Sequence, residues 1–549
     1  MLTYLFLQPV GASGDIPGAA LLCHHDGHVS PFGCRICIME GIRIKAPGPN
    51  AGFSRYYHGD LNGAIERDPE TFKHGDVIHN LKTPSLFARL KAFYGSYYFG
   101  LDELHLFGSN IAKQIWNMVT GDREETAFTL PKVVLRPIGV AASETNLPPC
   151  FEGNIPDIFR HSNNARAVDW LDFLLYLLPT IVYEQIDSNG TPQEAKDALL
   201  CIVTIASLAL QQWLDADDID RIKRCATTWH EYASQSLTNR YTPVFHYLQH
   251  VSRAIEMLGP MRRYSTRSIE RTIGFYKKRI KSISATAVNA ANQLCTITAH
   301  HHCQHSGDLD VDDGEDGKFE SYTITTENDN DTNDMVNVQE GTADSHRLWR
   351  VLQDDSLTVG QFDSWDLDRY LRQYWKRHLN QRTALPSLRD SKIVVGKDLF
   401  DSDTGTFYGS QAYPHLARKK PMPFVKLSLP VDLNRADPGA AKDLVWETYF
   451  AECMLFLAHA YRGQERMLAL VQVYRDLELN GAGIPIGTQN YNCDRGHCKS
   501  YVIDVERIDS LAGYIPSTIP TRPGGSKRYY YVYPGMIPND IRLGDVTHI

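Results

Sequence analysis

Two cysteines in a short glycine-flanked segment are the first residues here with the type and spacing of metal ligands. Cys34 and Cys37 occur in GCRICIMEG, and a C-x-x-C turn presents two thiolates to one tetrahedral zinc ion. The alternatives are a redox pair and two incidental thiols. A redox pair requires a strand before the motif and a helix after it, whereas these flanks look like loops. The sequence therefore favours zinc, which needs two further ligands.

A second segment, LDELHLFG, offers Asp102 and His105 as those ligands. The two residues are three apart at a predicted helix start, so both side chains point to one side of the helix. The alternative is an Asp that caps the helix and a His on its face. Several other histidines compete for the same role: His24, His25, His28 and His79.

An isolated carboxylate follows the apolar N-terminal run. Asp15, in SGDIPGAA, is succeeded by a proline and small residues, a setting that suits a divalent-metal site. The alternative is an Asx-turn, in which the side chain bonds only to its own backbone.

A strongly basic segment spans residues 261–282, MRRYSTRSIERTIGFYKKRIKS. Its isoleucines and Tyr276 recur at helical spacing, which predicts a packed apolar stripe (Ile269, Ile273, Tyr276 and Ile280). Eight cations occupy the other face: Arg262, Arg263, Arg267, Arg271, Lys277, Lys278, Arg279 and Lys281. Such a helix attracts a phosphate backbone, although a solvated basic face is the alternative. Glu270 is the segment's single acid and is expected to stay ionised among these cations.

Hydrophobic periodicity predicts the elements that position these residues. Helices are predicted over 104–118, through 165–285, and in a shorter stretch over 348–379. Short β-branched and aromatic runs predict strands at 467–473, 501–505 and 529–533. The expected fold is α/β plus α plus β.

Five parts follow along the chain. They are residues 1–125 with the C-x-x-C and D-x-x-H element, a helical insertion at 126–260, the basic helix at 261–300, an acidic loop at 301–346, and a small β-rich part at 347–549.

Composition and charge exclude several classes of protein. The 549 residues are 43% hydrophobic and 22% charged, which excludes a fibrous or wholly disordered chain. The net charge of −9 is concentrated in residues 306–344, which hold 13 acids and one Lys and are predicted to be disordered. No apolar run reaches the roughly 20 residues of a bilayer span, so no membrane partner is expected. The odd count of 11 scattered cysteines favours reduced thiols.

Four stretches, taken in order, give the sequence a family resemblance. They are SGDIPGAALL, GCRIC with GLDELHLFGSNIAKQIW downstream, YTPVFHYLQHVSRAIEMLGP, and YSTRSIERTIGFYKKRIKS. Together they resemble CACTA (En/Spm-type) DNA transposases, in particular the transposase-derived proteins of fungal genomes. Residues of about 1–290 carry the match. The later stretches AYRGQERMLALVQVYRDLEL and YVIDVERIDSLAGYI resemble the accessory domain that follows in such proteins.

The resemblance implies a DDE transposase with an RNase H-like core that a helical insertion interrupts. In such enzymes three acidic residues bind two Mg²⁺ or Mn²⁺ ions for phosphodiester cleavage and strand transfer. Asp15 matches the second acidic residue and Glu270 the third, and folding is expected to bring them together. Cys34, Cys37, Asp102 and His105 match a signature whose implied role is structural zinc binding. The resemblance also implies transposon-end DNA as the partner, a nuclear location, and a homo-oligomer as one assembly state.

The match departs from the family at the first acidic residue. Only 14 residues precede Asp15, and none of them is acidic. The expectation is therefore a partial, N-terminally truncated core without independent strand-transfer activity. Two other hypotheses stay open: a non-catalytic DNA- or chromatin-binding relic, and a protein-interaction relic.

Overall fold

The computed structural model describes most of the chain in two compact units. The described residues are 11–45, 52–57, 64–122, 124–145, 147–148, 151, 155–280, 285–306, 345–354, 356–414, 423–434, 439, 441–488, 498–518 and 527–546. The first unit comprises residues 1–263 and 334–549, and the second comprises residues 264–333. The architecture is mixed, with helices and antiparallel sheets. The predicted strand at residues 2–10 and the acidic loop at 307–344 lie outside the described residues.

The N-terminal segment of the first unit consists of short elements around an aromatic core. These elements are α1 (Ile16–Leu22), β1 (Ile42–Lys45), β2 (Phe53–Tyr56) and α2 (Pro69–His74). Strands β1 and β2 form an antiparallel hairpin. Phe72, Tyr98 and Phe99 are buried together with Cys23 and Leu81, and this cluster holds the loops that connect the elements.

A run of helices follows, as the periodicity predicted. They are α3 (Lys113–Val119), α4 (Lys132–Ser143), α5 (Ile158–His161), α6 (Ala167–Asp172), α7 (Tyr183–Ser188), α8 (Gln193–Ala209), α9 (Ala216–Ser236), α10 (Pro243–His246) and α11 (Val251–Leu258). Two π-helical segments, Leu104–Ala112 and Phe173–Val182, precede α3 and α7. Pro179 lies within the second, where its missing N–H removes one backbone donor. Every residue of that segment is buried, so packing stabilises a geometry that is rare in isolation.

The C-terminal part of the first unit is dominated by two antiparallel sheets. Its elements are β3 (His346–Val351), α14 (Leu367–His378), β4 (Ile393–Asp401), β5 (Thr406–Gly409), β6 (Phe424–Asp432), β7 (Leu444–Tyr461), β8 (Gln464–Tyr474), β9 (Glu478–Leu479), β10 (Pro485–Thr488), β11 (Cys498–Asp504), β12 (Ile508–Leu511), β13 (Gly513–Pro516) and β14 (Arg528–Val532). Within the described residues, the larger sheet has eight strands, and the smaller has the order β13-β14-β10-β9.

The 18-residue strand β7 is the centre of the larger sheet. It pairs with β8 along one edge, and with β6 and then β4 along the other. The β7–β8 turn places Arg462 and Gly463 at positive φ, the backbone geometry that a two-residue hairpin of this hand requires. Successive side chains of β7 point to opposite faces of the sheet, and its residues contribute to the buried clusters on both faces.

One sequence-based element is wrong in the C-terminal part. Residues 348–351, predicted as the start of a helical stretch, belong to strand β3, which pairs with β4. The helix α14 begins only at Leu367. Leu348 and Val351 fit the strand because both side chains are buried in the core of the larger sheet. The strands predicted at 467–473, 501–505 and 529–533 correspond to β8, β11 and β14.

The smaller sheet packs on the helices of the same unit. The Tyr183 hydroxyl donates to the Gly481 carbonyl at 3.1 Å, and Ser517 donates to the Glu184 carboxylate at 2.8 Å. Burial raises the pKa of Glu184, although hydrogen bonds from Ser517 and Tyr530 oppose the shift. The helical segment and the C-terminal sheets therefore share one interior.

The second unit contains α12 (Arg267–Arg279) and α13 (Thr286–Ser306). The helix α12 lies within the basic segment 261–282 that the sequence predicts to be helical but is shorter than that segment, and none of its residues is buried. Ile269 is 53% exposed and Ile273 is 39% exposed, so the apolar stripe is not packed as predicted. Periodicity identifies the helix correctly but does not show what covers it. Within the described residues, no helix has the length and apolar content needed to cross a bilayer.

Candidate metal centre

Four buried side chains from two distant segments converge in the first unit. Cys34 and Cys37 lie in the loop between α1 and β1, while His246 ends α10 and His250 ends the turn that leads into α11. The histidines are four residues apart on consecutive helical turns, so their rings lie on one side. All four ligand atoms lie within 4.8 Å of one another.

The distances fit one tetrahedral zinc ion. The Cys37 Sγ lies 3.2 Å from His246 Nε2, and the Cys34 Sγ lies 3.6 Å from His250 Nε2. The two Nε2 atoms are 3.4 Å apart. A tetrahedral ion with ordinary Zn–S and Zn–N bonds separates its S and N ligands by about 3.5 Å and its N ligands by about 3.3 Å. The four residues therefore fit zinc with no ligand position left open.

The backbone around the cysteines is shaped for a thiolate. The N–H groups of Ile36 and Cys37 point at the Cys34 Sγ, at 3.4 and 3.5 Å. A Cβ atom added at Gly33 or Gly41 would overlap the Tyr57 ring. Glycine is required at both positions because the loop passes so close to this tyrosine.

A hydrogen-bond chain orients His250. Its Nδ1 lies 3.5 Å from the Tyr97 hydroxyl, which donates to Glu66 Oε1 at 3.1 Å. With Nδ1 directed at Tyr97, Nε2 faces the cysteines. An outer partner of this kind commonly fixes the ring orientation of a metal-binding histidine.

Two buried arginines stabilise the cysteine loop. Arg67 donates from Nε and Nη2 to the Cys34 carbonyl at 3.1 and 2.9 Å, and from Nη1 to the His79 carbonyl at 2.7 Å. Arg35 donates to the carbonyls of Phe99 and Gly100. Their positive charges lie beside groups that become thiolates when metal binds.

Burial and mutual contact shift the pKa values at this centre in different directions. Burial alone would raise the pKa of the Cys34 thiol. The hydrogen bond with Cys37 and the neighbouring His246 and His250 outweigh this effect, and the pKa lies well below its usual range. Its bond with Cys34, together with burial, raises the pKa of Cys37. Burial lowers the pKa of His250. The neutral imidazole and the thiolate are the forms that bind zinc.

The ligand set differs from the one that the sequence suggested. Cys34 and Cys37 belong to the cluster, but Asp102 and His105 do not. Asp102 accepts from the backbone N–H of His105 at 2.9 Å, and its Oδ2 lies 2.6 Å from His105 Nδ1. The carboxylate therefore caps the start of the helix and binds the histidine of its own turn, which was the alternative interpretation.

The competing histidines have other partners. His24 Nδ1 lies 2.6 Å from the Thr83 hydroxyl, and His79 Nδ1 lies 2.7 Å from Asp76 Oδ2. His25 contacts the Phe32 carbonyl, and burial lowers its pKa to about 4. His28 lines a cleft. Within the described residues, none of them joins the metal-binding cluster.

Asp15 lines a cleft of about 710 Å³ next to the metal-binding loop. Its Oδ1 accepts from the Gly18 N–H at 2.6 Å, so it caps α1. His105 lines the same cleft, as do Arg43 and Arg55 from the β1–β2 hairpin. The structure thus brings Asp15 and His105 to one cavity, although neither belongs to the cysteine–histidine cluster.

The remaining predicted site residues lie at the unit boundary or in the second unit. Arg262 and Arg263 are exposed at the end of the first unit, and Arg263 lies over the Trp213 ring. Glu270 is in the first turn of α12, and Lys277 and Lys278 are exposed in its last turn. Arg267, Arg271 and Arg279 are on the same helix, whereas Lys281 lies outside the described residues. The pairing of Glu270 with Asp15 stays a prediction.

His246 and His250 were not predicted as ligands from the sequence. The signal was present, because FHYLQH contains an H-x-x-x-H spacing that zinc sites commonly use with a C-x-x-C pair. More than 200 residues separate the two halves, so spacing alone did not connect them. No family model, curated protein or solved structure matches this chain, and the assignment of the centre therefore rests on its own geometry.

Proposed function

We propose that this chain is a CACTA-like, transposase-derived DNA-binding protein whose zinc centre holds together the walls of a DNA-processing cleft. The observation that carries the proposal is the convergence of three stretches that gave the sequence its resemblance. SGDIPGAALL supplies Asp15 to the cleft, GLDELHLFGSNIAKQIW supplies His105, and YTPVFHYLQH supplies Thr242 and Val244. The last stretch also supplies both histidines of the metal centre.

Zinc has a structural role in this proposal. Four protein ligands complete its coordination, and all four are buried, so no position is open to water or substrate. The ion would hold the cysteine loop against α10 and α11, and so position the cleft between them.

Asp15 is the proposed ligand of a catalytic divalent ion within an RNase H-like core, and Glu270 is the proposed third acidic residue. Bound Mg²⁺ or Mn²⁺ would supply Lewis-acid activation of the phosphodiester oxygens. Asp15 fits this role because its side chain is only partly buried and one oxygen already holds the Gly18 N–H. The carboxylate is thereby fixed at the cleft.

We expect Asp15→Asn to abolish Mn²⁺ binding in the cleft without unfolding the protein. Asparagine caps a helix about as well as aspartate but is a much weaker ligand for a hard cation. Titration of the zinc-loaded full chain with Mn²⁺, followed by electron paramagnetic resonance, measures the loss. Asp68→Asn is the matched control, because Asp68 is the N-cap of α2 and lies outside this cleft. Equal Mn²⁺ binding by wild type and Asp15→Asn would favour the non-catalytic DNA-binding relic.

The cations of α12 are the proposed contacts to the DNA backbone. Lys277→Gln/Lys278→Gln is expected to weaken binding of duplex DNA and to reduce the slope of log K against log salt by about 1.8, because each lost phosphate contact contributes about 0.9. Fluorescence anisotropy over a salt series measures both quantities. Lys223→Gln/Arg224→Gln removes two exposed charges from α9 and serves as control. An unchanged slope would exclude the helix as a phosphate contact and favour the protein-interaction relic.

A further inference from the structure

The β1–β2 hairpin carries one cationic face. Register pairs Arg43 with Arg55 and Lys45 with Phe53, and directly paired residues of an antiparallel sheet lie on the same face. Three cations and one aromatic residue therefore share this face, with no acid among them. Arg43 and Lys45 are exposed, and Arg55 is half-buried.

The arrangement is unfavourable in the protein alone. Like charges placed directly opposite each other destabilise a strand pair. Within the described part of the chain, no carboxylate lies within ion-pair distance of Arg43 or Arg55. Arg55 instead donates to the Gly41 carbonyl at 3.0 Å. A phosphate bound on this face would offset the positive charge, and guanidinium donors match its geometry.

Phe53 adds an exposed ring to the same face. It is 62% exposed, and the Arg43 guanidinium lies 4.8 Å from its centroid. An aromatic ring beside a basic track is the usual platform for an unstacked base. In a duplex the bases are already stacked on each other, so such a ring contributes only when the strand is unpaired.

This hairpin face opens into the cleft described above. Arg43, Phe53 and Arg55 line it together with Asp15 and His105. A strand held by the hairpin would therefore pass the carboxylate of Asp15. The cations supply attraction for a backbone that the carboxylate alone would repel.

We propose that the hairpin face of Arg43, Lys45, Phe53 and Arg55 binds an unpaired DNA strand at the cleft. The arginines hold its phosphates and Phe53 stacks on one base. The inference rests on the proposed function in one respect, namely that the ligand is DNA. It adds the strand state of that DNA and the residues that position it.

The test uses the zinc-loaded full chain and two fluorescent probes, a ten-nucleotide oligothymidylate and a duplex of ten base pairs. Arg43→Gln/Arg55→Gln is expected to weaken binding of the single strand at least tenfold and to lower its salt slope by about 1.4, at about 0.7 per lost contact. Phe53→Leu is expected to weaken binding of the single strand by about tenfold, within the range of one lost base stack, and to leave duplex binding unchanged.

Lys223→Gln/Arg224→Gln is again the charge-matched control, and zinc content with circular dichroism verifies folding of each variant. The proposal is overturned if Arg43→Gln/Arg55→Gln binds the single strand with wild-type affinity and slope, or if Phe53→Leu weakens both probes equally. The proposed function fails separately. If Asp15→Asn keeps Mn²⁺ binding while the hairpin variants lose the single strand, Asp15 is rejected as a catalytic metal ligand and the strand-binding surface stands.

Discussion

Cys34→Ser and His250→Asn are each expected to reduce zinc from one ion per chain to none and to destabilise the protein by at least about 3 kcal/mol. Structural zinc sites contribute an apparent binding free energy of about 10–16 kcal/mol, and much of it is folding free energy. Here the ion would connect segments that are more than 200 residues apart. Its loss leaves the three remaining ligands buried without a common partner, namely one cysteine and two histidines in Cys34→Ser and two cysteines and one histidine in His250→Asn. Elemental analysis and urea unfolding measure the two effects.

Two controls separate metal loss from the effect of any buried substitution. Cys23 is as buried as Cys34 but lies in the aromatic cluster, so Cys23→Ser should lower stability modestly and keep the zinc. His105→Asn should also keep the zinc, because His105 pairs with Asp102 rather than with the cysteines. Zinc retained in His250→Asn but lost in His105→Asn would restore the ligand set that the sequence suggested.

The contrast between the two ligand sets shows what local patterns can predict. The C-x-x-C turn is a local motif, and its two glycines belong to the same short loop, so the sequence identified it. Asp102 and His105 also form a local motif, but in the structure their side chains bind each other rather than the cysteines. Helix caps and metal sites select the same residue types, and only the tertiary position of His246 and His250 decides between them.

The strands likewise separate into those that a local sequence pattern predicts and those that it does not. The strands β8, β11 and β14 were predicted because each contains a short β-branched or aromatic run bounded by Gly, Pro or Asn, which is a local signal. Strand β7 was not predicted. It pairs with three strands and is buried along most of its length, so its sequence lacks a simple alternation. The start of β3 was misread as helix because its partner β4 lies some 45 residues later, beyond any local signal.

Metal centre and cleft depend on the same scaffold. The turn that carries His246 and His250 directly follows Thr242 and Val244, which line the cleft. The cysteine loop runs from α1, capped by Asp15, to β1, which carries Arg43. A bound ion would therefore fix both ends of the cleft wall, and under the proposed function a variant without zinc is expected to lose DNA binding as well as stability.

Arg67→Met is expected to destabilise the protein by about 3–5 kcal/mol, the range for removing one member of a buried charge system. Arg67 is 3% exposed, and methionine retains most of its apolar stem. The substitution leaves the carbonyls of Cys34 and His79, which now accept from the guanidinium, without those donors. It also removes a positive charge beside the thiolates. Burial lowers the pKa of Arg67, and the charges of Cys34 and Cys37 oppose that shift.

Zinc affinity should fall about 10- to 100-fold in this variant, as for other residues that position a metal ligand without touching the ion. Competition with a chromophoric chelator measures the affinity, and urea unfolding measures the stability. Arg35→Met is the matched control, because Arg35 is 2% exposed but donates to Phe99 and Gly100 instead. Its loss should cost stability but lower zinc affinity less than Arg67→Met does, because the bonds to the Cys34 carbonyl remain. Equal zinc affinities in the two variants would show that burial of positive charge, and not the bonds to the Cys34 carbonyl, shapes the centre.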